Sequence, residues 1–227
     1  MEVVLKIYRF DPFQDKKAGY DEHRITAEKG ETVLSLLQKV SENIDPTLAF
    51  RFACGKVKCG ECSVNANGIP CLACEKQVEP EILVEPLAGM PVIKDLVVDR
   101  HKVIDDLSRR SPWLSKDKKP FDTLGDVPSS DLQTYIKLSG CYQCLICQSV
   151  CPVVSDEPKG FVGPLGLLWL SQRVKDPRIQ FEWNEHLDAM VGECIECGAC
   201  WRACPAGEIM LEKSFELLRS KNEMSSE

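Results

Sequence analysis

Residues 194–205 read CIECGACWRACP, with Cys194, Cys197, Cys200, Cys204 and Pro205 in one short run. Residues 141–152, CYQCLICQSVCP, repeat the spacing with Cys141, Cys144, Cys147, Cys151 and Pro152. The shared pattern is C-x2-C-x2-C-x3-C-P. Two copies of so tight a pattern make accident an inadequate explanation. They predict that the second half of the chain is folded around metal.

The pattern is that of bacterial [4Fe–4S] runs, in which the fourth cysteine serves the other cluster. Three cysteines wrap the near corners of one cubane, and the x3 step before Pro carries the fourth towards its neighbour. Cys141, Cys144 and Cys147 are therefore expected to share a [4Fe–4S] cluster with Cys204. Cys194, Cys197 and Cys200 are expected to share a second with Cys151. Crossed ligation would staple 141–151 to 194–204, so metal binding should stabilise this half.

A third set lies upstream: Cys54, Cys59 and Cys62, then Cys74. Its C-x4-C-x2-C…C spacing is that of plant-type [2Fe–2S] sites. Gly55 and Gly60 follow two of the ligands and let the loop wrap closely, so that backbone N–H groups face the sulfurs. A zinc knuckle is the competing reading, although structural zinc favours paired C-x2-C units. The chain has thirteen cysteines. Twelve are used, and Cys71, three positions before Cys74, is left as a small semi-buried thiol.

An odd cysteine count, tight clustering and no extended apolar stretch in MEVVLKIYRF argue for a reduced, cytoplasmic protein rather than a secreted disulfide framework. A net charge of −7 without a basic run argues against nucleic acid as partner. No apolar run reaches the ~18 residues of a membrane span; FVGPLGLLWL (161–170) is too short and carries Gly163, Pro164 and Gly166. Attachment at the inner face of the cell membrane would run through partner subunits.

The 227 residues, 44% hydrophobic, suffice for two domains. Residues 1–103 read as strands around one helix: VVLKIYRF, then the turn-rich gap DPFQDKKAGYD, HRITAE, the helix ETVLSLLQKVSENI, an Asn67-Gly68 hairpin, and EILVEPL as the closing strand. That is a β-grasp outline with a cysteine loop beside it. Residues 104–227 read as helices: LQTYIKLSG, GPLGLLWLSQRVKD, QFEWNEHLDAM and EIMLEKSFELLRSKN, after a polar linker. The expected fold is α+β: a [2Fe–2S] β-grasp domain, then an all-α, bacterial-ferredoxin-like domain with two cubane-type clusters.

No substrate-converting constellation is visible. His23, His101 and His186 are scattered, and no glycine-rich phosphate loop occurs. Trp169, Trp183 and Trp201 read as helical core or interface. Arg202, beside the last ligand, reads equally as a potential-tuning charge or a solvated side chain. Lys56 and Lys58 read first as a solvated loop and second as a docking charge. Three clusters without substrate machinery describe an electron wire.

The order of the three sets, with the phrases YRFDP, VNANGIPCLAC, VEPLAGMPVIKDLVVD and GFVGPLGL, resembles the iron–sulfur subunit of the succinate dehydrogenase/fumarate reductase family over residues 3–210. The resemblance implies a relay between an FAD-bearing flavoprotein subunit and a quinone, or a membrane-anchor or cysteine-rich subunit. The [2Fe–2S] loop would face the flavin, and the set of Cys151, Cys194 and Cys200 would be the exit. The sequence departs from the common members at that exit. Cys197 stands where they lack a cysteine and hold [3Fe–4S], which implies [4Fe–4S] here, or [3Fe–4S] without Cys197, while Asp156 and Ile195 replace the Trp and His of their quinone site. A thiol-linked fumarate reductase, with a cysteine-rich partner, is similar in this respect. The competing functions are the same wire serving another flavoprotein, with a different substrate or a heterodisulfide, and a free-standing polyferredoxin.

Overall fold

The eight residues Glu2–Arg9 (β1) alternate, burying Val3, Leu5 and Ile7 completely. Period-two burial makes this a strand with one face on a core. In the computed structural model, which describes residues 1–110, 129–155, 161–176, 187, 190–207, 211 and 214–218, β1 pairs along its whole length with Gly19–Thr26 (β2), antiparallel, from Glu2↔Thr26 to Arg9↔Gly19. The strand thus begins inside the segment whose composition reads as a turn. An eight-residue partner supplies ladder bonds that override weak local propensity. β2 exposes most of its side chains and carries Asp21, Glu22 and Arg24, as suits an edge strand.

Helix α1 (Val33–Asn43) starts from Thr32, whose hydroxyl and the Ser35 side chain close a capping box. It buries Val33, Leu34, Leu36, Leu37 and Val40. β3 (Ser63–Ala66) and β4 (Ile69–Leu72) form a hairpin. Asn67 and Gly68 at its tip have φ of 50° and 77°, the left-handed pair a two-residue hairpin turn demands. β5 (Glu81–Glu85) comes last of the five in sequence but sits in the middle of the sheet, whose order is β2-β1-β5-β3-β4. It runs parallel to β1 and antiparallel to β3. A two-stranded ribbon, β6 (Val92–Lys94) with β7 (Val97–Val98), follows, a feature the sequence reading lacks.

Buried Asp95, between those short strands, accepts from the amides of Phe10 and Ala49, both at 2.9 Å, and from Arg9 Nε at 3.1 Å. Arg9 also pairs with Asp21 at 2.8 Å and with Asp45. This network ties the end of β1 to the segment that leads into the first cysteine loop.

From Arg100 onward the described elements are helices: α2 (Arg100–Arg110), α3 (Ser129–Leu138), α4 (Ile146–Ser149), α5 (Pro152–Ser155), α6 (Gly163–Lys175) and α7 (Ala199–Arg202). The chain divides into two units. One comprises Met1–Lys102 with Tyr142–Val150, and the other Val103–Cys141 with Cys151–Glu227. Within the second, α6 is buried from Gly163 to Ser171, and Pro164 opens it at a position where no amide is needed. A Cβ on Gly166 would collide with the Val162 side chain, so only glycine fits. Gln172 Nε2 donates to the Leu138 carbonyl at 2.7 Å, and Ser171 Oγ to that of Ser214 at 2.9 Å. Much of QFEWNEHLDAM and EIMLEKSFELLRSKN lies outside the described residues. Among the described residues no helix is long and apolar enough to cross a membrane.

Candidate metal centres

The first cysteine loop leaves α1 and returns to β3, and Cys74 follows β4. Along the loop, φ is 61° at Gly55, 55° at Val57 and 69° at Gly60. Left-handed residues alternating with ordinary ones turn successive N–H groups towards one side, an anion-binding concavity. The Lys56 amide points at Cys54 Sγ, 3.3 Å away. That contact, with the amides of Cys59 and Lys58 and the Cys59 thiol, lowers Cys54 to about 7. A β-branched valine costs about 1–2 kcal/mol in this conformation.

Burial acts the other way on Cys62, whose thiol is pushed up to about 12; the neighbouring Cys74 and Cys59 sulfurs add to the effect, while the Cys74 amide opposes it. The Cys54 and Cys59 thiols, and the Cys62 and Cys74 thiols, interact directly, and Cys59 acts on Cys62 through its field. Four sulfurs in one half-buried concavity cannot ionise together unless a cationic core sits among them. The donor set fits a thiolate-ligated iron–sulfur group.

Cys71 lies in β4 opposite Val64. Burial raises its thiol to about 11. Lys56 and Lys58 have exposed side chains; what they bring to the loop is their backbone N–H groups, which a residue-by-residue reading of charge does not register.

The two later runs have the same backbone. In the first, Gln143 and Leu145 have φ of 53° and 65°; in the second, Glu196 and Gly198 have φ of 57° and 74°. Leu145 (ψ 5°) and Gly198 (ψ 2°) immediately precede α4 and α7, each four residues long. The sequence repeat is thus a conformational repeat: two left-handed residues, two and four positions after the first cysteine, lead into a short helix. Leu145 takes this geometry although not glycine because its side chain is buried at 1% exposure. Gly198 is obligatory: a Cβ there would meet the Trp201 ring at 2.9 Å and Arg202 Nη1 at 2.5 Å.

Cys144 and Cys147 are buried and belong to the first unit; Cys141 and Cys204 are half-buried and belong to the second. Burial raises Cys204, against the amides of Ala206 and Gly207. Within the second unit, Cys151, Cys194, Cys197 and Cys200 line one pocket together with Phe161, Trp201 and Phe215. Burial, with Cys151 and Cys194 nearby, raises Cys200 to about 11, and the Trp201 amide works against it. Cys197 is the exposed member. Trp201 stands at the cavity edge, edge-on to Phe215 at 5.6 Å. Among the described residues no three His, Cys, Asp or Glu side chains converge as a single-ion site.

The remaining candidates scatter. His101 is exposed, His23 is half-buried in β2, and His186, Trp183 and Asp156 lie outside the described residues. Trp169 is buried in α6. Ile195 is 64% exposed. Arg202 is exposed, yet its Nη2 donates to the Cys197 carbonyl at 2.8 Å, so it is not merely solvated. Sequence reading missed Arg100, which is buried beside the first loop; one arginine at a helix start carries no motif.

A model described as a 2Fe-2S iron-sulfur cluster binding domain matches residues 4–105, and one described as a 4Fe-4S dicluster domain matches residues 137–208. A fumarate reductase (CoM/CoB) subunit of Methanothermobacter marburgensis is 32% identical over 219 residues, covering 96% of this chain and 44% of that protein. The chain thus spans less than half the length of that relative. The succinate dehydrogenase iron-sulfur subunit of Coxiella burnetii is 32% identical over 220 residues, covering 89% of this chain and 90% of its own. A chain of the Mycobacterium smegmatis Sdh1 complex in the apo form shares the fold with a TM-score of 0.86 at 24% identity, covering 97% of this chain and 95% of that one. With its [2Fe–2S] domain preceding its [4Fe–4S] domain, the chain belongs to the family of iron–sulfur subunits of succinate dehydrogenase and fumarate reductase.

Proposed function

We propose that this chain relays electrons between an FAD-bearing flavoprotein subunit, where succinate and fumarate interconvert, and an acceptor held by a second partner. The [2Fe–2S] cluster is ligated by Cys54, Cys59, Cys62 and Cys74. One [4Fe–4S] cluster is ligated by Cys141, Cys144, Cys147 and Cys204, and the second by Cys151, Cys194, Cys197 and Cys200. The observation that carries this reading is the conformational repeat of the two runs, joined to a first loop whose amides face Cys54. Each site supplies thiols and directed N–H groups, which hydrogen-bond cluster sulfurs and set potential. When bound, the clusters supply one-electron chemistry; the chain fixes their spacing and field.

A second reading concerns the acceptor. Cys197 lines the cavity of the second run, and a 32% identical relative is named for CoM/CoB. These support a thiol-linked or cysteine-rich partner in place of a quinone, with attachment at the inner face of the membrane through that partner.

Anaerobic purification of the native complex tests both readings. The expected result is a FAD-bearing chain, about ten iron atoms per copy of this chain, and separate [2Fe–2S] and [4Fe–4S] signals by electron paramagnetic resonance (EPR). Isolation as a monomer without flavin would favour a free polyferredoxin. Zinc in place of iron would refute every reading.

A further inference from the structure

Arg100 opens α2 and is only 7% exposed. Its Nη1 pairs with Glu61 Oε1 at 2.9 Å and reaches the Gly60 carbonyl at 3.5 Å. Its Nη2 donates to the carbonyl of Gln143. Gly60 and Glu61 are the two residues between Cys59 and Cys62, and Gln143 immediately precedes Cys144. One guanidinium therefore holds the ligand loops of two different cysteine sets.

The loops are in contact beneath it. A Cβ on Gly60 would lie 2.5 Å from the Tyr142 carbonyl oxygen and 2.9 Å from Cys144 Cβ. Gly60 is thus required for close approach as well as for its φ of 69°. Nearby in sequence, α4 packs against β4, a further contact between the same two segments.

A buried cation is costly unless paired, and an apolar side chain of similar volume commonly serves stability as well or better. Glu61 offers only partial compensation: its side chain is 36% exposed and is shared with Arg51 at 3.9 Å. The buried Nε of Arg100 has no partner among the described residues. The guanidinium is retained at some expense in desolvation, at the one place where both ligand loops feel its field.

We infer that Arg100 is a positioning residue for electron passage between the [2Fe–2S] and first [4Fe–4S] clusters. It clamps the two ligand loops in contact and, through its positive charge, raises the reduction potentials of both. The inference rests on the ligand assignment given above. Passage of one electron forms and breaks no bond and moves no proton, so Arg100 contributes geometry and field alone. A positive charge near a cluster favours its reduced form, which carries one more negative charge.

The test is an EPR-monitored redox titration of the full chain, purified anaerobically, for wild type, Arg100→Gln, Arg100→Lys and Glu61→Gln. Arg100→Gln should lower both midpoint potentials. Arg100→Lys, which keeps the charge, should restore most of that shift. Glu61→Gln, leaving the guanidinium less compensated, should raise both. Wild-type potentials in Arg100→Gln, or a shift at one cluster only, would overturn the inference. Should Arg100→Gln fail to assemble clusters, Glu61→Gln decides, and unchanged potentials there overturn it. If wild type itself lacks either signal, the ligand assignment fails first, and the inference with it.

Discussion

Arg202 Nη2 donates to the carbonyl of Cys197 at 2.8 Å, while its Nη1 stands over Gly198. The most exposed cysteine of the second run is thus pinned through its backbone. Arg202→Ala should leave cluster assembly intact under anaerobic conditions but speed loss of the Cys197-held iron in air. The check is the rate at which a [3Fe–4S] signal grows, and equal rates in both proteins would dismiss the pin.

On the proposed ligation, Cys197 sets the type of the second cluster. Cys197→Val should give a [3Fe–4S] centre with a higher potential and leave the other two clusters in place. EPR of the oxidised protein reads this directly. Loss of the [2Fe–2S] signal would show that the sets are wrongly assigned.

Gly198→Ala tests the repeat. A side chain at φ 74° costs about 1–2 kcal/mol, and here it must also displace the Trp201 ring. Occupancy of the second [4Fe–4S] site should fall with the first unaffected, as counted by spin quantitation.

Cys71 should be dispensable. Cys71→Ala is expected to keep the [2Fe–2S] spectrum at a stability cost of roughly 1 kcal/mol, whereas Cys74→Ser should alter that spectrum.

Asp95→Ala removes a buried carboxylate from two amides and Arg9. Breaking such a pair costs about 3 kcal/mol, read as a lowered denaturant midpoint for the first unit.

The Thr47 hydroxyl, then Arg9, holds the Asp45 carboxyl well below the usual carboxylate range. A depressed pKa adds stability that is present above the unfolded value and lost as pH falls towards the folded one. Solvent screening limits the effect to at most about 1 kcal/mol. The wild-type advantage over Asp45→Asn should therefore stay constant from about pH 8 to about pH 5 in thermal unfolding, both titrations lying lower.

Sequence alone determined which atoms could hold metal. Spacing is a local property, and C-x2-C-x2-C or C-x4-C-x2-C limits how far sulfurs can sit from a common centre. Helix α1 and the Asn67-Gly68 hairpin were legible for the same reason: amphipathic period and turn chemistry are written within a few residues. The early start of β2 at Gly19 and the central place of β5 were not, because strand extent and sheet order depend on partners far along the chain. Nor were the left-handed Val57, Gln143, Leu145 and Glu196, since none is a residue type that announces that conformation. Only the tertiary structure decided that Arg100 spans two ligand loops and that Gly60 must stay bare for Cys144 to approach. Those are contacts between segments far apart along the chain, and no local pattern encodes a long-range distance.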